Sequence, residues 1–252
     1  MIAFHVVIPA RLGSTRLPRK ILREIAGKPL LQHVWESVRD SGAQETVIAA
    51  DAAAVVEVCR RFGADAVLTS EKHQSGSDRV NEVAQSRGWA DDAVVVNVQG
   101  DEPLMPPALV QQAAQLLAQD READLSTVCH AIDSREEWLN PNIVKVVMDA
   151  RQRALYFSRA PIPWKRVGTN PESLLPKGLA FRHIGLYAWR VAALARFSQL
   201  PAEPLETCES LEQLRALAQG FRIKLGITDA APPRGVDTEE DLLAVEKILT
   251  RK

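Results

Sequence analysis

Hydrophobic positions recur along this chain with two periods that trade places. Residues 3–8 form a near-continuous apolar run rich in β-branched and aromatic types, which predicts a strand buried on both faces. After Gly27-Lys28-Pro29, the residues Leu30, Leu31, Val34, Trp35 and Val38 fall at helical spacing, and Ser41-Gly42 ends that run. The exchange then repeats, with a strand at 46–50, a helix at 52–62 closed by Gly63, a strand at 66–68, a helix at about 78–87 and a strand at 93–98. Pro106-Pro107 opens a further helix through Val110, Ala113, Ala114 and Leu117, because proline in a first turn loses no intrahelical hydrogen bond. Strand–helix alternation of this length predicts a mostly parallel sheet with right-handed crossovers, and ligands then belong at the strand carboxyl ends.

Beyond Asp124 the rhythm changes. Strands are expected at 125–130, 143–148, 154–157 and 183–189, separated by loops, which suits antiparallel pairing. Two proline-rich connections, 159–164 and 169–176, punctuate this region, and the second is expected to be mobile. A helix around 206–219, a strand at 221–227 and a helix after Gly235-Val236-Asp237-Thr238 complete the chain, with Thr238 and Asp241 forming a helix-start signal. The fold class is therefore α/β, a Rossmann-like and mostly parallel central sheet flanked by helices, with an antiparallel C-terminal portion. One domain is expected over 1–252, with halves meeting near 124/125.

Composition narrows the function. With 31 Lys+Arg against 32 Asp+Glu, the formal charge of -1 argues against a general nucleic-acid or anionic-membrane binder. Cys59, Cys129 and Cys208 have neither zinc-ligand spacing nor the density of a disulfide framework. The apolar start is interrupted by His5 and stopped by Pro9, far too short to span a membrane, so a cytoplasmic location is expected.

Charge nonetheless clusters locally. Between Pro9 and Arg23 stand Arg11, Arg16, Arg19, Lys20 and Arg23 with no acidic residue. After a strand, such a loop can hold phosphates through backbone N–H groups and side-chain cations, or it can be an ordinary solvated surface. Neither G-x-x-x-x-G-K-[ST] nor G-x-G-x-x-G is present. Asp101, directly after a buried strand, could hold a hard cation at the sheet edge or merely serve a turn before Pro103; Asp237 could join it or cap a helix. His183 and Tyr187, four apart on a strand with Gly185 between them, could face a ligand or pack in the core. Glu212, Gln213 and Arg159 read equally as surface groups. The remaining histidines, His73 among them, and the five tryptophans are assigned to structure.

The motif set decides among these readings. Residues 9–20, PARLGSTRLPRK, followed by Gly27-Lys28-Pro29, closely resemble the nucleotide loop of the sugar-activating nucleotidyltransferases. The likeness continues through His73-Gln74-Ser75-Gly76-Ser77-Asp78-Arg79, Asn97-Val98-Gln99-Gly100-Asp101-Glu102-Pro103, the segments 140–147 and 156–164, Arg182 to Tyr187, Leu211 to Arg215, and Gly235 to Thr238. It is narrowest toward cytidylyltransferases that activate 3-deoxy-manno-octulosonate (Kdo). Departures are Arg19 where the family loop carries glycine, Ser77-Asp78 for Thr-Glu, and Pro161 for Thr.

The resemblance implies Mg²⁺-dependent transfer of CMP from CTP to the anomeric hydroxyl of Kdo, serving lipopolysaccharide biosynthesis. It implies catalytic roles for Arg11, Lys20, Asp101 and Asp237, with Mg²⁺ on the two aspartates. CTP would meet Pro9, Ala10, Arg11, Ser14, Thr15, Arg16 and Lys20 from the first loop, and Gln74, Ser75, Ser77 and Arg79 from the second. Kdo would meet Gln99, Arg159, His183, Tyr187, Glu212 and Gln213. The first half would serve CTP, and the second would serve the sugar and a homodimer contact. A transferase for another sugar acid, a nucleotide-sensing module and a nucleic-acid binder are the rival readings.

Overall fold

The structure is a computed structural model that describes residues 2–14, 17–73, 75–166, 175–229, 232–233 and 235–250. The first half follows the alternating pattern closely. Strand β1 (His5–Ala10) leads into a loop with one 3-10 turn (Lys20–Leu22) and a small ribbon of β2 (Glu24–Ile25) and β3 (Lys28–Pro29). Then come α1 (Leu30–Val38), β4 (Glu45–Ala50), α2 (Ala53–Arg61), β5 (Asp65–Leu68), α3 (Gly76–Arg87), β6 (Val94–Asn97) and α4 (Pro107–Gln119). Strand β1 lies between β4 and β6, parallel to both, and β5 extends the sheet parallel to β4.

The second half is antiparallel at its centre and closes with a parallel strand. Its elements are β7 (Leu125–Ala131), α5 (Arg135–Leu139), β8 (Lys145–Met148), β9 (Ala154–Ser158), β10 (Phe181–Arg190), α6 (Val191–Phe197), α7 (Pro204–Glu209), α8 (Gln213–Ala218), β11 (Ile223–Thr228) and α9 (Glu239–Leu249). Strand β10 runs antiparallel to β6, β7 and β8, whereas β11 runs parallel to β7. The sheet order is β11-β7-β10-β6-β1-β4-β5, with β8 and β9 branching from β10.

Two apolar layers cover the sheet because successive strand residues point to opposite faces. Val6 and Ile8 face one core with α1, α2 and α4, while Val7 faces the other with α3, α6 and α8. A third cluster matters for function. Leu17, Ile25 and Leu30 of the first loop region pack against Val236, Leu242 and Val245, so α9 is seated on the basic loop.

Two local expectations are corrected. The helix expected across 206–219 is two helices, because Ser210 adopts φ 53° and turns the chain between them. The core assignment of the tryptophans fails at Trp164, which stacks on buried Trp138 but is 62% exposed. Strand β11, whose pairing the sequence left open, lies parallel to β7 with Ile223 aligned to Leu125. The proline-rich connection at 169–176 falls largely outside the described residues. Among those described, no helix is long and apolar enough to cross a membrane.

Candidate active site

The carboxyl end of β1, the segment after β6 and the loop between β5 and α3 open on a cleft of about 840 Å³. From the first loop its wall takes Pro9, Arg11, Ser14 and Lys20, and from the second Ser75 and Arg79. Backbone closeness at this rim has a specific cause. A Cβ on Gly100 would stand 2.6 Å from the Pro9 carbonyl oxygen, so only glycine lets the loop after β6 pass the end of β1. Asp51, at the end of β4, accepts the Leu12 N–H with both carboxylate oxygens at 3.0 and 3.2 Å and thereby fixes the entry of the basic loop.

Opposite charges meet at one end of the cleft. Lys20 Nζ donates to Asp101 Oδ2 at 2.6 Å and to Asp237 Oδ1 at 3.0 Å. Three separate stretches are needed to build this contact. Asp101 follows β6; Asp237 arrives because the Val236 N–H donates to the Asp101 carbonyl at 2.9 Å and because α9 is seated on the loop. Thr238, not Asp237, is the N-cap of α9, its hydroxyl accepting from Asp241 N–H in a capping box, so the carboxylate of Asp237 is left for the cleft. Burial opposes the charge on Lys20, but the two carboxylates outweigh it and hold its pKa above the usual lysine value.

Glu102 stands beside this group and was missed by sequence reasoning. Burial, then the neighbouring Asp101 and Asp237, push its carboxyl up to about 8 against Arg182 and Lys20. Its signal was present in the D-E-P motif, but spacing alone gives it no role distinct from that of Asp101. A Cβ on Gly235 would lie 2.8 Å from Glu102 Oε1, so that glycine is what admits the side chain.

The nucleotide-side candidates divide by exposure. Helix α3 starts at the cleft with Ser75 as its N-cap, which accepts from Asp78 N–H at 3.2 Å while Asp78 accepts from Ser75 N–H at 3.3 Å. Asp78 thus completes a capping box, which accounts physically for the acid at that position. Ala10 is buried, and its carbonyl accepts from Asp51 N–H at 3.1 Å. Ser77 is buried beneath the wall with Oγ donating to Glu212 Oε2 at 3.1 Å. Arg79 reaches the wall, but its guanidinium donates to Thr69 Oγ1 at 2.8 Å and the Ser70 carbonyl at 2.9 Å and faces Asp51 at 3.8 Å. It braces the loop. Thr15, Arg16 and Gln74 lie outside the described residues.

Of the sugar-side candidates, Gln99 and Glu212 line the cleft. Arg159, His183, Tyr187 and Gln213 do not. Arg159 is drawn back because its Nε donates to the Glu209 carbonyl at 2.7 Å and its Nη1 to the Pro141 carbonyl at 3.2 Å. His183 is buried against Phe157 and shares a 2.9 Å hydrogen bond with Thr127 Oγ1. Burial, reinforced by Arg182, pulls its pKa down to about 3, so the imidazole is neutral. Tyr187 lies 5.3 Å from the His183 ring, and burial raises its hydroxyl well above the usual tyrosine range, with Glu212 adding to the effect. Gln213 is buried in the first turn of α8, next to Glu212. The space above Gly185 is open, as the strand reading expects, although β10 carries a bulge between Ile184 and Tyr187.

His73, assigned to structure from the sequence, lines the cleft, and its Nε2 stands 2.5 Å from Glu82 Oε2. Lys145, which the sequence reading matched within 140–147 but gave no role, is fully buried and donates to the carbonyls of Asn140, Ile143 and Arg159 at 2.9, 2.6 and 2.5 Å. It ties the start of β8 to the end of β9, where Arg159 leaves the sheet.

An α/β sheet whose cleft holds an ammonium between two carboxylates beside a basic loop has the charges that suit a polyphosphate ester. The chain belongs to the cytidylyltransferase family, whose pattern matches residues 5–224. It is 52% identical over 250 residues to a 3-deoxy-manno-octulosonate cytidylyltransferase of Pseudomonas syringae pv. syringae, covering 98% of each chain. To the 3-deoxy-manno-octulosonate cytidylyltransferase of Marinobacter nauticus it is 50% identical, over 99% of this chain and 98% of that one. Its fold matches the structure of a CMP:2-keto-3-deoxy-manno-octonic acid synthetase complexed with CTP, with a TM-score of 0.89 and 41% identity over 99% and 98% of the two chains.

Proposed function

We propose that this protein transfers the cytidylyl group of CTP to the anomeric hydroxyl of Kdo, giving CMP-Kdo and pyrophosphate for lipopolysaccharide biosynthesis. The observation that carries this reading is the Lys20 ammonium bracketed by Asp101 and Asp237 beside Arg11 at the cleft. Its likeness to relatives named for this reaction, over nearly the full chain, supports the sugar assigned.

The chemistry sets what the residues must do. The sugar oxygen attacks the α-phosphorus in line, the bond from that phosphorus to the β-phosphate bridging oxygen breaks, and the electron pair leaves with pyrophosphate. Alignment and charge neutralisation are therefore the protein's task. Arg11 and Lys20 hold phosphate oxygens, with Ser14, Thr15 and Arg16 on the same loop. Pro9, Ala10, Gln74, Ser75, Ser77 and Arg79 form or brace the part of the site that takes the nucleoside. Gln99 and Glu212 meet the sugar at the wall, while Arg159, His183, Tyr187 and Gln213 form the ground behind them.

The residues also fit Mg²⁺. Asp101 and Asp237 converge closely enough to share one ammonium, and two hard carboxylates completed by phosphate oxygens suit that ion. When bound there, Mg²⁺ supplies Lewis-acid polarisation and neutralises developing charge. A homodimer through the second half is part of this reading, supported by the exposed apolar Leu155, Trp164 and Leu179 in that half. So is a cytoplasmic location, which suits three free cysteines.

The test is pyrophosphate release with CTP, Mg²⁺ and each of several sugar acids, with Kdo expected as the substrate. Release with a sialic acid but not with Kdo would overturn the choice of sugar. Light scattering on the purified protein tests the dimer, and a monomer at working concentration would remove it.

A further inference from the structure

His73 and Glu82 form a pair whose place in the fold says more than its spacing. In the sheet order β6-β1-β4-β5, Asp101 follows β6 and His73 follows β5, so β1 and β4 separate them. If the reacting phosphate lies at the Lys20 end, the other end of the cleft takes the base. Gly76, in the first turn of α3, packs closely on β1, since a Cβ there would stand 3.3 Å from the Pro9 ring.

The imidazole is oriented at one nitrogen only. Glu82 Oε2 faces His73 Nε2 and also accepts from Ser70 N–H at 2.9 Å. Although burial raises the pKa of Glu82, the Ser70 and His73 hydrogen bonds and Arg79 outweigh it and keep the carboxylate ionised. A carboxylate accepts only, so Nε2 must carry the proton and donate. Among the described residues, no protein group meets the other ring nitrogen in a hydrogen bond. In the neutral ring that nitrogen is an acceptor. The adjacent carboxylate makes the pair a poor phosphate ligand.

Resting on the function proposed above, we infer that His73, oriented by Glu82, is a base-specificity residue that accepts a hydrogen bond from the exocyclic amine of cytosine at Nδ1 and thereby discriminates CTP from UTP. Uracil offers a carbonyl oxygen at that place, which would oppose the nitrogen lone pair. The distinction is one of donor against acceptor, and one hydrogen bond of this kind changes affinity by about tenfold.

The experiment measures kcat/KM with CTP and with UTP, the sugar acid saturating, for the wild type, His73→Ala, His73→Asn and Glu82→Gln. His73→Ala should lose about tenfold with CTP and little with UTP. His73→Asn places an amide oxygen near the Nδ1 position and should recover most of the preference. Glu82→Gln can donate to Nε2, which moves the ring proton to Nδ1 and shifts the ratio toward UTP. An unchanged CTP/UTP ratio in all three variants would overturn the inference. Failure of the wild type to use CTP at all would instead overturn the function on which it rests. His73 is partly exposed in a loop, and the asparagine and glutamine variants keep a polar side chain at each position, so the outcome does not depend on alanine alone.

Discussion

Lys20 and Asp101, 81 residues apart in the chain, meet at 2.6 Å at one end of the cleft. Replacing Lys20 by methionine leaves Asp101 and Asp237 without their shared cation, so turnover should fall by about a hundredfold or more. Stability should respond to pH in a defined way. The Lys20 pKa is raised in the folded state, so its contribution is complete below the ordinary value of 10.5 and is lost as pH rises through the raised value. Urea titrations at pH 8 and pH 11 should find the gap between wild type and Lys20→Met narrowing at the higher pH.

Asp101→Ala and Asp237→Ala should each lower kcat by about a hundredfold at saturating Mg²⁺. Isothermal titration of Mg²⁺ into the protein with CTP should find weaker binding in both. Full turnover of the two variants under those conditions would remove the metal role from these residues.

Arg19 adopts φ 53°, a left-handed conformation that costs a side-chain-bearing residue about 1 kcal/mol. Glycine is free of that cost. Arg19→Gly should raise the midpoint of thermal unfolding by a few degrees while keeping activity, which differential scanning calorimetry and pyrophosphate release would check together. Loss of activity would give this cation a role in substrate binding.

His183 is buried neutral, with its pKa lowered to about 3. Unfolding lets it take a proton below its ordinary value of 6.5, so stability falls as pH drops from 6.5 toward 3. Between pH 7 and pH 5 this one group should account for about 2 kcal/mol. Denaturant titrations of wild type and His183→Gln at both pH values should show a smaller acid loss in the variant.

Lys145→Met leaves the carbonyls of Asn140, Ile143 and Arg159 without their donor, which should cost about 3 kcal/mol. Because the tie holds the exit of β9 at Arg159, the KM for the sugar acid should rise severalfold while the KM for CTP stays near wild type. Equal changes in both constants would mean that Lys145 supports the fold as a whole.

Much of the first half was legible because local signals agree with one another. The apolar run before Pro9, the spacing from Leu30 to Val38 and the proline start at Pro107 each state an element, and the sheet assembles them as expected. The 206–219 segment resisted, because nothing in its composition requires the left-handed turn at Ser210 that breaks the helix. His73 and Lys145 resisted for a different reason. A histidine in a loop and a lysine in an apolar strand acquire meaning only from their partners, Glu82 and three carbonyls supplied by other segments.

The sequence by itself determined the α/β class, the order of the elements and the basic loop, since these follow from periodicity, turn residues and charge along the chain. Only the tertiary structure decided which groups share a site. Asp237 reaches Lys20 because α9 packs on Leu17, Ile25 and Leu30, and because Thr238 takes the capping role that would otherwise have claimed the aspartate. The physical reason is range: strand and helix signals act over a few residues, whereas apolar packing and Coulomb contacts join segments more than two hundred residues apart, such as Lys20 and Asp237.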